Sequence, residues 1–194
     1  MDVQVVDAAH QIIYIRGALS QASCQAQIAH AESHGFAPAP ITTPRGPVMN
    51  AAVRNNTRVM RDEPSRAAWL LERLRPHLPA RQEGWQLHGL NERLRWYRYD
   101  PGERFNWHLD GAYVRSRDER SWLTLMVYLN DGFTGGETEF VVQGRHVVVR
   151  PEAGAVLLFK HRVSHMGAMV QQGRKYVLRT DVMYRRGQGP RAAG

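Results

Sequence analysis

From residue 93 onward the chain is punctuated into seven short apolar or aromatic runs, and this spacing constrains its fold more than any other feature. The runs cover 93–99, 105–110, 122–129, 138–142, 146–149, 155–159 and 176–184. Each is rich in the β-branched and aromatic side chains that pack well on a pleated surface. Turn formers separate them: Asp100-Pro101-Gly102, Asp131-Gly132, Gly135-Gly136, Gln143-Gly144 and Gln172-Gly173. Many short strands at such intervals predict a sandwich or barrel, with a jelly roll among the choices.

The first 84 residues read differently. Residues 3–7 and 11–15 predict a strand pair, and 20–34 a helix with Ser20 or Ser23 as N-cap and Gly35 as its stop. Pro38, Pro40, Pro44, Gly46 and Pro47 argue for an irregular segment over 36–61, long enough to be a functional loop or lid. Its polar end, Asn55-Asn56-Thr57-Arg58, suits substrate contact. Residues 64–78 predict a second helix, with Pro64 in the first turn and Ala68, Leu71 and Leu74 on its apolar side. The expected class is mainly β with helices (α+β). With 194 residues, 43% of them hydrophobic, the chain suffices for one domain. That domain is expected over 1–186, with strands, helices and a long loop in 1–84, a β core in 85–186, and a flexible tail in 187–194.

Composition narrows the setting. No apolar run approaches the roughly 20 residues that span a bilayer, so no membrane association is expected. A single cysteine, Cys24, excludes an internal disulfide. With no signal-peptide layout at Met1-Asp2-Val3-Gln4, it points to the cytoplasm. The net charge of +8 invites a nucleic-acid partner, but 24 of the 26 basic residues are arginines scattered along the whole length. No zinc-finger spacing, RNA-recognition motif or long basic helix accompanies them. Nucleic acid is therefore disfavoured.

Within the β half, His108-Leu109-Asp110 closes one run. Side chains two apart share a face of a strand, so His108 and Asp110 are candidate metal ligands. A histidine from a distant strand would complete the two-histidine, one-carboxylate set of non-heme Fe(II) oxygenases, which leaves coordination positions open. His161 and His165 both compete for that place. Gly167 soon after it, and Lys175 ten residues on at the head of a strand, favour His165. Lys175 is one of only two lysines in a chain that otherwise uses arginine. With strand alternation, Arg179 and Asp181 share its face. Two inward cations need anionic partners: a bound dicarboxylate for both, or Asp181 for Arg179.

The match is broader than three ligands. Residues 95–102, Arg95-Trp96-Tyr97-Arg98-Tyr99-Asp100-Pro101-Gly102, lead through Phe105 to His108. Residues 124–130 are followed by Gly135-Gly136-Glu137-Thr138, and 151–159 run from Pro151 through Gly154 to Phe159. In this combination the chain resembles the 2-oxoglutarate- and Fe(II)-dependent dioxygenases, in particular their prolyl 4-hydroxylase-like branch, over about residues 91–186.

The resemblance implies a double-stranded β-helix (jelly-roll) core with the N-terminal helices packed on it. It implies His108, Asp110 and His165 as iron ligands and Lys175 as the cation facing the far carboxylate of 2-oxoglutarate. Tyr128, Tyr99, Arg179 and Thr124 are the accompanying co-substrate candidates. Fe(II), 2-oxoglutarate and O2 would be required, with ascorbate as a possible reductant. The implied activity is hydroxylation of a C–H bond in a peptide, amino acid or small metabolite, with 2-oxoglutarate decarboxylated to succinate and CO2. Arg58 and Arg115 are candidate substrate contacts. Two alternatives stand beside this reading. One is a nucleic-acid demethylase, kept alive by the six-residue spacing of Arg179 and Arg185, and the other is a metal-holding barrel without turnover.

Overall fold

A computed structural model describes residues 1–187. All but the first residue of the expected flexible tail lies outside them. Strands β1 (Asp2–Asp7) and β2 (Ile12–Arg16) form an antiparallel pair, and α1 spans Gln21–His34. Short strands β3 (Ala37–Pro38), β4 (Ile41–Thr43) and β5 (Gly46–Val48) lead to β6 (Thr57–Asp62) and helix α2 (Pro64–Leu74). The β half contains β7 (Arg81–Gln82), β8 (Trp85–Leu90), β9 (Arg93–Tyr99), β10 (Phe105–His108), β11 (Val114–Ser116) and β12 (Glu119–Tyr128). It continues with β13 (Thr134–Gly135), β14 (Thr138–Val142), β15 (Arg145–Val149), β16 (Val156–Lys160), β17 (Ser164–Gly167), β18 (Val170–Gln172) and β19 (Lys175–Arg186).

The larger sheet runs β1-β2-β16-β12-β19-β9-β6-β3, and the smaller one runs β10-β17-β14-β15. The chain is thus mainly β, with a jelly-roll core. Helices α1 and α2 cover the outer face of the larger sheet, and the smaller sheet covers its inner face. Two hydrophobic clusters result. Cys24, Leu70, Leu74, Trp96, Leu125 and Leu178 belong to the helix side; Tyr14, Tyr97, Tyr128, Phe140, Phe159 and Val177 lie between the sheets. This double coverage explains why the stretch Leu123–Leu129 is apolar at nearly every position, Thr124 excepted: a strand buried on both faces has no solvent side on which to place polar residues.

Ser20 accepts from the Ser23 backbone N–H, and Gly35, at φ 71°, ends α1. Gln27 of α1 accepts a hydrogen bond from buried Trp96 Nε1 at 3.3 Å, fixing the helix to β9. Two expectations fail. Residues 36–61 are not irregular throughout: β4 and β5 pair as a hairpin, and β6 joins the main sheet along β9. Only Val59 of β6 is buried, so its sequence lacks the alternation that announces a strand. In α2 the buried stripe is Ala67, Leu70 and Leu74, while Ala68 is exposed and Leu71 half-buried. Both stripes have helical spacing; packing against β8 selects the earlier one. Among the described residues no helix is long and apolar enough to cross a membrane.

Candidate metal centre and its cleft

His108 ends β10 and His165 lies on β17, directly opposite it in the antiparallel register. Direct opposition brings two side chains together without a tight turn, and the imidazole centroids lie 4.2 Å apart. Asp110 is already past the strand end, so simple alternation does not place it. Its backbone N–H donates to the His161 carbonyl at 2.8 Å, turning the carboxylate back toward the histidines. His108 Nε2 lies 3.8 Å from Asp110 Oδ1, and His165 Nε2 lies 3.7 Å from Oδ2. One ligand atom from each residue falls within 4.8 Å of the others, a set that can hold a metal ion.

The second nitrogens fix the tautomers. His108 Nδ1 faces the Asn106 carbonyl at 2.7 Å and His165 Nδ1 faces the Val163 carbonyl at 2.9 Å. Each Nδ1 therefore carries the proton, and each Nε2 lone pair is free for a metal. Burial, and then the neighbouring His165, press the His108 pKa down to about 3. Burial also lowers His165. Burial alone would raise Asp110, but Arg179 foremost, with both histidines and a Thr124 hydrogen bond, holds it well below the ordinary carboxylate range. The result is two neutral imidazoles and one carboxylate, a donor set suited to Fe(II).

His161 has a different place. Tyr113 N–H donates to Ser121 Oγ at 2.8 Å, Ser121 Oγ lies 2.7 Å from His161 Nε2, and His161 Nδ1 lies 2.9 Å from Thr124 Oγ1. Thr124 donates onward to Asp110 Oδ2 at 2.6 Å. Because Thr124 spends its proton on the carboxylate, His161 Nδ1–H must donate to Thr124, and Nε2 must accept from Ser121. The chain runs one way, from backbone to ligand. Thr124 thus meets Asp110 and does not line the inner pocket.

That pocket lies beside the ligand set and is lined further by Tyr97, Tyr99, Met126, Thr138, Lys175 and Arg179. Its free volume is only about 30 Å³. Lys175 is 2% exposed. Its Nζ donates to the Gly136 carbonyl at 2.5 Å and lies 5.3 Å and 5.5 Å from the Tyr99 and Tyr128 ring centroids. No carboxylate lies within ion-pair distance of it among the described residues, and burial drops its pKa to about 7. An unpaired buried charge costs several kcal/mol. Tyr128 stands one layer behind the pocket, donating to Thr138 Oγ1 at 2.7 Å.

Arg179 faces the other end. Its Nη2 lies 3.0 Å from Asp110 Oδ2 and 3.5 Å from Asp181 Oδ1. It therefore meets a ligand carboxylate as well as the expected aspartate. Tyr97, absent from the sequence expectations, packs beside it. Burial raises the Tyr97 phenol, but Arg179, Arg54 and Arg95 outweigh that and bring it to about 8. Strand parity with Tyr99 was the available signal.

A larger cleft of about 780 Å³ opens outside the ligands, beneath the β4–β5 hairpin. Arg58, a candidate substrate contact, lines it. Arg115 does not: its guanidinium pairs with Glu119 at 2.9 Å and with Glu92, on the far side of β12. Arg185 likewise pairs with Glu119 at 2.8 Å, so the six-residue spacing from Arg179 brings the two arginines to different partners.

Residues 94–180 match the family model of the 2OG-Fe(II) oxygenase superfamily. No curated protein matches the chain in sequence. Solved structures share the fold. A prolyl-4-hydroxylase from Pseudomonas putida is 20% identical, with TM-score 0.65, and the match covers 92% of this chain and 94% of that one. A viral collagen prolyl hydroxylase from Paramecium bursaria Chlorella virus-1, solved with 2OG, is 21% identical (TM-score 0.62; 89% and 94% covered). A Trichoplax adhaerens prolyl hydroxylase, in complex with a hypoxia inducible factor peptide fragment, is 17% identical (TM-score 0.67; 90% and 83% covered).

Proposed function

We propose, on the premise that the chain belongs through residues 94–180 to the 2OG-Fe(II) oxygenase superfamily, that His108, Asp110 and His165 hold Fe(II) and that the enzyme hydroxylates a C–H bond of a peptide or small metabolite. The observation that carries this reading is Lys175. A cation this buried, without a carboxylate partner among the described residues, beside a donor set suited to Fe(II), is a site lacking its anion. The far carboxylate of 2-oxoglutarate supplies one. When bound, Fe(II) with 2-oxoglutarate and O2 supplies the oxidising power, one oxygen atom going to the substrate and the other to succinate as CO2 leaves.

The chain's own residues bind, orient and dry the site. Lys175, its amine flanked by the rings of Tyr99 and Tyr128, anchors the dicarboxylate, and this apolar setting excludes water and so strengthens the pairing. Tyr128 reaches the site through Thr138. The Lys175 amine, held by the Gly136 carbonyl, exchanges that contact for the incoming carboxylate. Arg179 and Thr124 both hold Asp110 Oδ2, which leaves Oδ1 for the metal. The peptide or small-molecule substrate enters the outer cleft beneath β4–β5. Purified protein with Fe(II), ascorbate and 2-oxoglutarate is expected to release succinate at a slow uncoupled rate. Equal release by wild type and Asp110→Ala would sink the proposal.

A further inference from the structure

The outer cleft carries more positive charge than its own carboxylates neutralise. Arg54, Arg58, Arg95, Arg162 and Arg179 line it, against Asp110 and Asp181. Both aspartates are committed: Arg179 bridges them, and Arg95 lies 3.2 Å from Asp181. Among the described residues no carboxylate lies within ion-pair distance of Arg54, Arg58 or Arg162. These arginines come from separate places: the bridge Arg54↔Phe105, β6, and the turn after β16. A solvated charged face would place them along one element; here they converge on one cleft.

Arg54 is the most telling. It is 4% exposed. Its guanidinium lies 4.6 Å from the Tyr97 centroid and 4.4 Å from that of Phe105, and its Nε donates to Asn56 Oδ1 at 2.7 Å. Its Nη2 is buried with no partner among the described residues, an arrangement that costs free energy until an acceptor arrives. Phe105 in turn stacks on His108, with centroids 3.5 Å apart and planes 12° from parallel. An unsatisfied guanidinium thus sits one aromatic ring away from a metal ligand.

We infer, resting on the oxygenase reading above, that the primary substrate carries an oxyanion, a carboxylate or a phosphate, which seats on Arg54, Arg58 and Arg162 and aims the reacting C–H toward the His108–Asp110 side. Guanidinium forks match both oxyanions in geometry. This seat is separate from the Lys175 pocket: Lys175 does not line the cleft, and Arg54, Arg58 and Arg162 do not line the inner pocket.

The test uses protein loaded with Zn(II), which blocks turnover, and saturated with 2-oxoglutarate. Inorganic phosphate, N-acetylproline and N-acetylprolinamide are titrated in turn by calorimetry. Inorganic phosphate or N-acetylproline is expected to bind about tenfold or more tighter than N-acetylprolinamide; the tighter of the two tells phosphate from carboxylate. Arg58→Gln and Arg162→Gln are each expected to weaken that anion about tenfold. Arg54→Lys, which keeps the charge but loses the fork, is expected to weaken it too. Arg75→Gln, an exposed arginine outside the cleft, serves as the control. Neither anion binding tighter than the amide, no anion binding at millimolar concentration, or equal losses in Arg75→Gln and Arg58→Gln would each overturn the inference. Succinate release by the Fe(II)-loaded wild type is scored separately, so failure of the oxygenase reading shows there and not in the anion preference.

Discussion

Lys175 and Arg179 stand four residues apart on one face of β19 and meet opposite surroundings. Lys175 is enclosed by tyrosine rings with only a backbone carbonyl to receive its protons, and its pKa falls to about 7. Arg179 is less enclosed, and Asp110, then Tyr97 and Asp181, overcome the effect of its burial and hold its charge. The same strand therefore offers one cation awaiting a partner and one already partnered. The first suits a dissociable co-substrate; the second suits holding a ligand carboxylate in place. An amine can shed its proton while its pocket is empty, whereas a guanidinium stays charged.

The most severe way to test this division is to remove the centre both cations flank. Asp110→Ala or His165→Ala is expected to lower succinate release by about a thousandfold or more, with loss of metal binding by calorimetry; retained metal would refute the ligand assignment. Lys175→Ala separates the two ends. It is expected to raise the Kd for 2-oxoglutarate by roughly a hundredfold, in line with removing one partner of a buried charge pair, while leaving metal affinity near wild type. If 2-oxoglutarate binds the variant normally, Lys175 is not its anchor.

Arg179→Gln should show the reverse pattern: metal affinity falls by about tenfold to a hundredfold through loss of an outer partner of Asp110, with a smaller change in 2-oxoglutarate affinity. The pH dependence sharpens the comparison further. With the folded pKa of Lys175 near 7 against an ordinary 10.5, the free folded protein binds fewer protons than the unfolded chain between those values. Its stability from this group therefore rises with pH from about 7 to 10.5. Dicarboxylate binding favours the charged amine, so its Kd should weaken by about tenfold per pH unit above 7, with proton uptake seen by calorimetry in buffers of different ionisation enthalpy. A flat profile from pH 6 to 9 would contradict the pairing. The smallest effect belongs to Arg115→Ala, whose half-exposed ion pairs should contribute no more than about 1 kcal/mol to stability; thermal unfolding and succinate release should stay close to wild type.

What the chain disclosed in advance depended on how local each signal was. The His108–Asp110 pair, the strand ending at Tyr99 and the lysine heading β19 are short-range features, visible from residue type and spacing. The meeting of Arg179 with Asp110 crosses from one sheet to the other, and no local pattern announces it. The same holds for β8 and β17, strands whose partners and not whose composition define them. Arg58 was legible because a polar run in a proline-rich stretch invites a surface role. Arg54 was not, since its informative property is a missing partner in a buried setting. Thr124, a co-substrate candidate by resemblance, is taken to the carboxylate instead by the one-way hydrogen-bond chain through His161.

The direct opposition of His108 and His165 across β10 and β17 reaches beyond ligand geometry. An ion held by both imidazoles is a staple between strands remote in sequence, closing a long stretch of chain whose looping would otherwise have to be won entirely by packing. Loading should then appear as slowed amide exchange along β10, β17 and β14, the strands that the staple ties, well before it appears in the helices on the opposite face. On this view the ion is part of the architecture of the smaller sheet, and starvation for it would loosen the fold at the place where substrate enters.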